Sequence, residues 1–276
     1  RKTIDGKIGR KITLTGALSN LKDNLDFMAG DGKLLLEEEP VNYSSVLENY
    51  LVKCLELKDT DSIKKLESEF KNNNNKNEEI HRYKSICYFQ MLYYVNFNMF
   101  EEACKYAEKE DLINNLRSRQ HLISDNRMSS IRYTCVQAYF LHEKYAIASL
   151  WAQYIIQNPR SQSLPMTYLM SDLIHFICLF ETGGLGNISV RSNTLMIKYR
   201  RREPKNLFLR YLIITFKYAT LTQQSHAAKA TQQRKKRIEG YLERNPDLAI
   251  YGPVLAWIDS RISGKKLAEE ILKYNS

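Results

Sequence analysis

The chain is poor in the residues that turn a backbone sharply: 11 Gly and 6 Pro in 276 residues. An all-β fold needs turn residues every few positions, so the scarcity argues for long helices joined by few connections. Apolar runs are also short. The richest stretch, Leu207 to Leu221, is interrupted by Arg210 and Lys217, and nothing reaches the roughly 18 residues that a membrane helix needs. No membrane span is expected, and no signal peptide is visible. The five cysteines are odd in number, and no two are close enough to form a CxxC pair. They read as small reduced core residues, which places the protein in a reducing compartment, the cytoplasm. The chain opens on Arg1 rather than Met and is therefore expected to be a piece of a longer one.

Catalytic and metal-binding signatures are missing as well. The five His stand far apart, with no HExxH. His175 lies in the apolar run Ile174 to Phe180 and reads as a core or interface histidine. Gly30-Asp31-Gly32-Lys33 resembles a phosphate loop, but Leu34 stands where Ser or Thr should. Gly183-Gly184-Leu185-Gly186 follows a helical pattern rather than a strand, so it reads as a hairpin turn that needs φ > 0 and not as a dinucleotide cradle. No GxSxG elbow occurs, and the Cys and His residues form no recognisable nucleophile–base signature. Glu37-Glu38-Glu39 and Glu101-Glu102 fall at or near helix starts, where negative charge suits the dipole. No active site, no metal and no cofactor are expected.

What the chain does carry is helical periodicity in pairs. In Tyr133 to Pro159, Cys135, Ala138, Tyr139 and Leu141 fall on one helical face. His142-Glu143-Lys144 breaks the pattern, and Ile147, Ala148, Trp151, Ala152, Ile155 and Ile156 resume it. A second copy runs from Tyr88 to Lys109, broken at Asn96-Phe97-Asn98, with Phe100, Ala103, Cys104 and Ala107 lining its second helix. Aligning the breaks sets Ala103 on Ala148. Weaker copies span Tyr43–Phe70, Leu164–Tyr199, Lys205–Asn245 and Asp247–Tyr274, broken at Lys58–Asp61, Gly183–Gly186, Thr222–Gln224 and Ser263-Gly264. Second-helix anchors at Ile63, Ala103, Ala148, Ser189, Ala228 and Ala268 are then 40, 45, 41, 39 and 40 residues apart. Residues 1–40 do not pair. Leu14, Leu18, Leu21, Leu25 and Met28 make one amphipathic helix that caps the array or remains from a preceding repeat. Lys71 to Asn77, KNNNNKN, is a polar low-complexity loop.

Tyr139, Tyr145, Ala148 and Pro159 in one copy, and Tyr94, Phe100 and Ala103 in the other, give the pattern by which the chain resembles the tetratricopeptide-repeat family. Both copies lack the glycine usual before the turn, and Pro159 lies one residue early. The resemblance implies an all-α fold over residues 41–276: a right-handed α-α superhelix of about six stacked antiparallel helical hairpins. It also implies that the first helices line a concave groove and that the function is to hold a protein or peptide.

The net charge of +10 is unevenly placed. Residues 198–276 hold 17 Lys/Arg and 7 Asp/Glu, leaving 24 of each sign in the first 197. Arg200-Arg201-Arg202 and Arg234-Lys235-Lys236-Arg237 fall late in predicted second helices and are expected on the outer, solvated face. Phosphate contact to a nucleic acid or membrane surface is the minority alternative. Arg210 and Lys217, seven apart on a first helix, share one face. Ser130, Tyr133 and Gln137 in the third hairpin, and Tyr88 in the second, hold comparable positions. Such a groove suits an extended acidic peptide. The expected function is a non-catalytic protein–protein scaffold; the alternative is the helical module of a transcriptional regulator or nucleic-acid-associated protein.

Overall fold

The computed structural model describes residues 16–27, 40–72, 82–158, 164–183, 188–202, 207–219, 225–245 and 250–274. Among them every regular element is helical and no strand occurs. Residues 16–27 form α1, followed by α2 (Pro40–Leu57) and α3 (Thr60–Asn72). A π-helical turn, Arg82–Ile86, leads into α4 (Cys87–Asn96), then α5 (Phe100–Lys109) and the short α6 (Leu112–Ser118). Next come α7 (Asp125–Leu141), α8 (Tyr145–Ile156), α9 (Pro165–Glu181) and α10 (Ile188–Arg202). The chain ends with α11 (Leu207–Ala219), α12 (Ser225–Leu242), α13 (Gly252–Ser263) and α14 (Leu267–Glu270), which continues as a 3₁₀ turn over Ile271–Lys273. No described helix is long and apolar enough to cross a membrane. Two compact units are present: residues up to 97 with 106–131, and residues 98–105 with 132–276.

In the first unit α2 packs on α3, and α4 packs on both. Leu47, Leu51 and Cys54 repeat at helical spacing along α2 and are fully buried, as are Ile63, Ile86 and Met91. Two hydrogen bonds lock polar tips inside this core. Thr60 donates from Oγ1 to the Tyr93 hydroxyl at 2.8 Å, and the Tyr106 hydroxyl donates to Glu67 Oε1 at 3.1 Å. On α1, Leu25 is buried, while Leu18 and Leu21 are half-buried. The amphipathic face expected there therefore has its centre at Leu25.

In the second unit α8 packs on α9, α10 on α11, α11 on α12 and α13, and α13 on α14. Specific side chains fix the antiparallel sense. Midway along α7, Arg132 reaches the Tyr154 carbonyl late in α8 at 3.5 Å. Midway along α9, Asp172 accepts from the Tyr199 hydroxyl late in α10 at 2.6 Å and pairs with Lys198. Phe208 at the start of α11 meets Tyr241 at the end of α12, and Tyr218 at its end meets Arg234. Trp151, Trp257, Tyr251 and Phe140 are the largest fully buried side chains of this unit.

The turns recur in backbone conformation. Lys58, Asn98 and Glu143 have φ of 60°, 59° and 60°, and Gly183 and Gly264 have 71° and 73°. Each stands just past a first helix, at residue intervals of 40, 45, 40 and 81. At these turns Lys58, Asn98 and Glu143 take the left-handed conformation without being glycine, as does Asp111 at the start of α6, with φ of 44°. Two of these turns are Schellman closures. Lys58 and Asp59 donate to the Leu55 and Cys54 carbonyls, and Glu143 and Lys144 donate to those of Phe140 and Tyr139. Gly264 makes the simpler bond to the Ser260 carbonyl at 2.8 Å.

Three details depart from the sequence expectation. The short α6, with Leu112 and Leu116 buried at i, i+4, was not anticipated. It lengthens the connection before α7 and accounts for the one 45-residue interval. In the sixth hairpin the buried anchor is Leu267, with Ala268 half-buried, so the register there is one residue earlier. The second arm of that hairpin is only one α-turn followed by a 3₁₀ turn. Leu14, Met28, Gly30–Lys33, Glu37–Glu39, residues 73–77, Pro159, Gly184–Gly186 and Thr222–Gln224 lie outside the described residues. So do the side chains of Ser189, Ala228 and Arg200–Arg202.

Candidate functional site

The expected groove residues fall into separate groups. Tyr88, half-buried on α4, belongs to the first unit. It lies under the Arg127 guanidinium, 4.6 Å from its ring centroid. Arg127 also pairs with Glu48 Oε1 at 2.6 Å, and Ser85 donates to the same oxygen at 3.3 Å. Tyr88 is thereby committed to an internal cation–π and ion-pair network. Burial raises the Tyr88 phenol above its ordinary range, against the opposing pull of Arg127.

In the second unit Tyr133 and Gln137 are half-buried one turn apart on α7. The Tyr133 hydroxyl is buried with no hydrogen-bond partner, so this residue can offer a partner only part of its ring. On α11, Arg210, Ile214 and Lys217 are all half-buried and repeat at i, i+4, i+7. The flanking Tyr211 and Tyr218 are covered from α12 by the Tyr241 ring at 6.0 Å and the Arg234 guanidinium at 4.5 Å. The stripe is thus a cationic and apolar strip beside tyrosines fixed from the far side.

The basic run Arg234–Arg237 is not one solvated face, and that expectation is corrected. Lys235 Nζ lies 2.7 Å from Oδ1 of the buried Asp259 on α13 and 3.1 Å from Glu239 Oε1. Asp259 Oδ2 also accepts from the Tyr274 hydroxyl at 3.0 Å. Arg234 stacks on Tyr218, which leaves Lys236 and Arg237 exposed. The reason is helical geometry: four consecutive residues point around the whole circumference, so they cannot all face water when one side packs on α11 and α13.

The five cysteines are buried free thiols. Burial pushes the Cys54 thiol up to about 12, so it is uncharged and unreactive at neutral pH. His175 Nδ1 lies 2.9 Å from Ser149 Oγ, the packed polar pairing expected of a core histidine. No group of three His, Cys, Asp or Glu that could hold a metal ion occurs among the described residues.

The structure also assembles a site that the sequence did not suggest. A cavity of about 430 Å³ in the second unit is lined by Glu143, Tyr145, Glu181, Arg261, Lys265 and Lys266, with Trp257 at its wall. Glu181 Oε1 accepts from the Trp257 indole at 2.6 Å and lies 3.9 Å from Arg261 Nη1. Glu143 Oε1 accepts from the Leu267 backbone N–H at 2.8 Å. The Arg261 guanidinium sits 5.4 Å from the Phe180 ring centroid. Burial, with Glu181 nearby, raises the Tyr145 phenol, so it stays a protonated donor. These residues come from the α7–α8 turn, the end of α9, the last half of α13 and the α13–α14 turn, across more than 120 positions. No short motif could announce them. The only local sign was Glu143, read as a turn residue and no more.

No family model matches the chain, and neither a curated protein nor a solved structure matches it.

Proposed function

We propose that the protein is a non-catalytic cytoplasmic scaffold of tetratricopeptide type, its hairpins stacked in a right-handed superhelix, and that it holds an acidic peptide or protein segment. The observation that carries this is the stripe Arg210, Ile214, Lys217 on α11. Its two cations stand two turns apart around an apolar residue, at half-burial, where the surrounding low dielectric strengthens their attraction for carboxylates. Support also comes from packing: first helices of successive hairpins touch, α2 with α4 and α11 with α13. Within each unit such a contact leaves a shared surface for a ligand. Tyr133 and Gln137 on α7 would extend that surface with part of a ring and an amide.

The test is binding of an acidic peptide pool and a nucleic acid pool across salt. The double variant Arg210→Ala/Lys217→Ala should weaken the peptide pool by about tenfold or more, at roughly 1 kcal/mol per lost charged contact. Lys236→Ala/Arg237→Ala, at the exposed half of the basic run, should change it little. Loss confined to the latter pair, with a steep salt slope, would instead assign a nucleic acid partner. Failure of both pools to bind the parent protein sinks the proposal.

A further inference from the structure

The cavity of the second unit has an excess of hydrogen-bond donors. Its lining carries three cations, Arg261, Lys265 and Lys266, against two carboxylates, Glu143 and Glu181, a formal balance of +1. The carboxylates are already engaged. Glu143 Oε1 takes the Leu267 N–H, and Glu181 Oε1 takes the Trp257 indole N–H. Arg261 is less completely used. Its nearest ion-pair contact, to Glu181, is a loose 3.9 Å, and its Nε is buried with no hydrogen-bond partner. A buried donor on a cation costs free energy until an acceptor reaches it.

The guanidinium is held beside the Phe180 ring, 5.4 Å from its centroid, and Arg261 lines the cavity. Lys265 and Lys266 are exposed on the turn that follows Gly264. That turn is itself pinned: Ser260 Oγ donates to the Lys265 carbonyl at 2.8 Å, and the Lys265 N–H donates to Ser263 Oγ at 3.1 Å. One partly unsatisfied arginine lies inside, two lysines stand at the turn, and a protonated Tyr145 faces the same space.

We propose that this cavity is a binding site for a small organic oxyanion, a carboxylate or phosphate, taken by Arg261 and drawn in by Lys265 and Lys266. The volume of about 430 Å³ falls in the range of small-molecule sites, roughly 300–1,000 Å³. The ligand is therefore larger than a bare ion, with a body lying against Tyr145 and the Trp257 wall. The site shares no residue with the α11 stripe, so it stands or falls independently of the scaffold function.

The experiment is calorimetric titration of the 276-residue chain with two probes, succinate and glycerol phosphate, at low and high salt. At least one probe should bind, and salt should weaken it. Arg261→Gln should weaken binding about tenfold or more, the cost of one charged contact. Lys265→Gln/Lys266→Gln, on an exposed turn whose contacts are backbone ones, should weaken it severalfold while leaving the melting temperature unchanged. That second variant keeps the test decisive if Arg261→Gln fails to fold. Succinate alone binding assigns a carboxylate ligand, and glycerol phosphate alone assigns a phosphate. Failure of both probes to bind overturns the proposal. So does equal loss in Arg237→Gln, which removes one positive charge away from the cavity.

Discussion

In the third hairpin Glu143 turns the chain at φ 60°, and in the sixth Gly264 does so at 73°. The backbone conformation is nearly the same, but the residues answer its steric demand in opposite ways. Gly264 has no Cβ to strain. Glu143 has one, and its side chain reaches across to accept the Leu267 N–H at the start of α14. The arms differ too. α7 and α8 are 17 and 12 residues long, while the sixth hairpin returns through a four-residue α14. In the third hairpin Ala148 is fully buried, and its second arm, α8, packs on α9. In the sixth, α13 packs on its own second arm α14, and polar contacts fix the pair as well: Asp259 gathers Lys235 and Tyr274, and Glu270 takes Ser263 and Lys273. Glu143 takes the left-handed backbone with a side chain that has a partner, and Gly264 takes it with no side chain to strain.

The sharpest way to break the comparison is to overfill both second arms. Ala148 is fully buried, and Ala268 is half-buried. Ala148→Leu should cost about 1–3 kcal/mol by overpacking a close helix contact. Ala268→Leu should change stability by no more than about 0.5 kcal/mol. Urea midpoints of the two variants decide it. Equal shifts would mean that the sixth hairpin is packed like the third.

Much of this was legible in the chain. The breaks at Lys58–Asp61, Asn96–Asn98, His142–Lys144 and Ser263-Gly264 all fall where the helices end, because apolar periodicity stops wherever a helix has no face to bury. The anchors Ile63, Ala103 and Ala148 are each fully buried. What the sequence hid depends on distant pairings. Lys235 looked like one of four equivalent cations until Asp259, 24 residues later, was brought beneath it. The cavity needs Glu143, Glu181 and Arg261 from three helix ends, and none of them stands in a motif. α6 escaped notice because two leucines in seven residues give too short a period to separate a helix from a loop.

A second effect, intermediate in size, tests whether Gly264 is a conformational necessity. A Cβ built there meets nothing within 4 Å, so space is not the constraint. Only the positive φ is. Gly264→Ala should therefore destabilise by about 1 kcal/mol through backbone strain alone. A melting temperature equal to the parent's would show that the turn relaxes to negative φ at no cost.

The smallest effect separates strain from side-chain compensation, using two left-handed residues that differ in what their side chains hold. Lys58→Gly relieves about 1 kcal/mol of left-handed strain. It loses a weak cation–π contact to Phe97 at 5.1 Å, worth about 0.5 kcal/mol at an exposed site. It also pays about 0.5 kcal/mol or more for the freedom of glycine in the unfolded chain. The sum is close to zero. Glu143→Gly gains the same relief and pays the same entropy, but it also strips the acceptor from the Leu267 N–H. A charge-assisted bond on an exposed carboxylate is worth about 1 kcal/mol net. Glu143→Gly should therefore be less stable than Lys58→Gly by about 0.5 kcal/mol, the bond less the cation–π contact that only Lys58 loses, each measured against the parent by urea unfolding. Glu143→Gln keeps a carbonyl acceptor at the same reach, and it should recover part of the difference. If the two glycine variants unfold at the same midpoint, the Glu143 bond contributes no more than the Lys58 contact to Phe97. The third hairpin then owes its non-glycine turn to something besides the side chain that spans to Leu267.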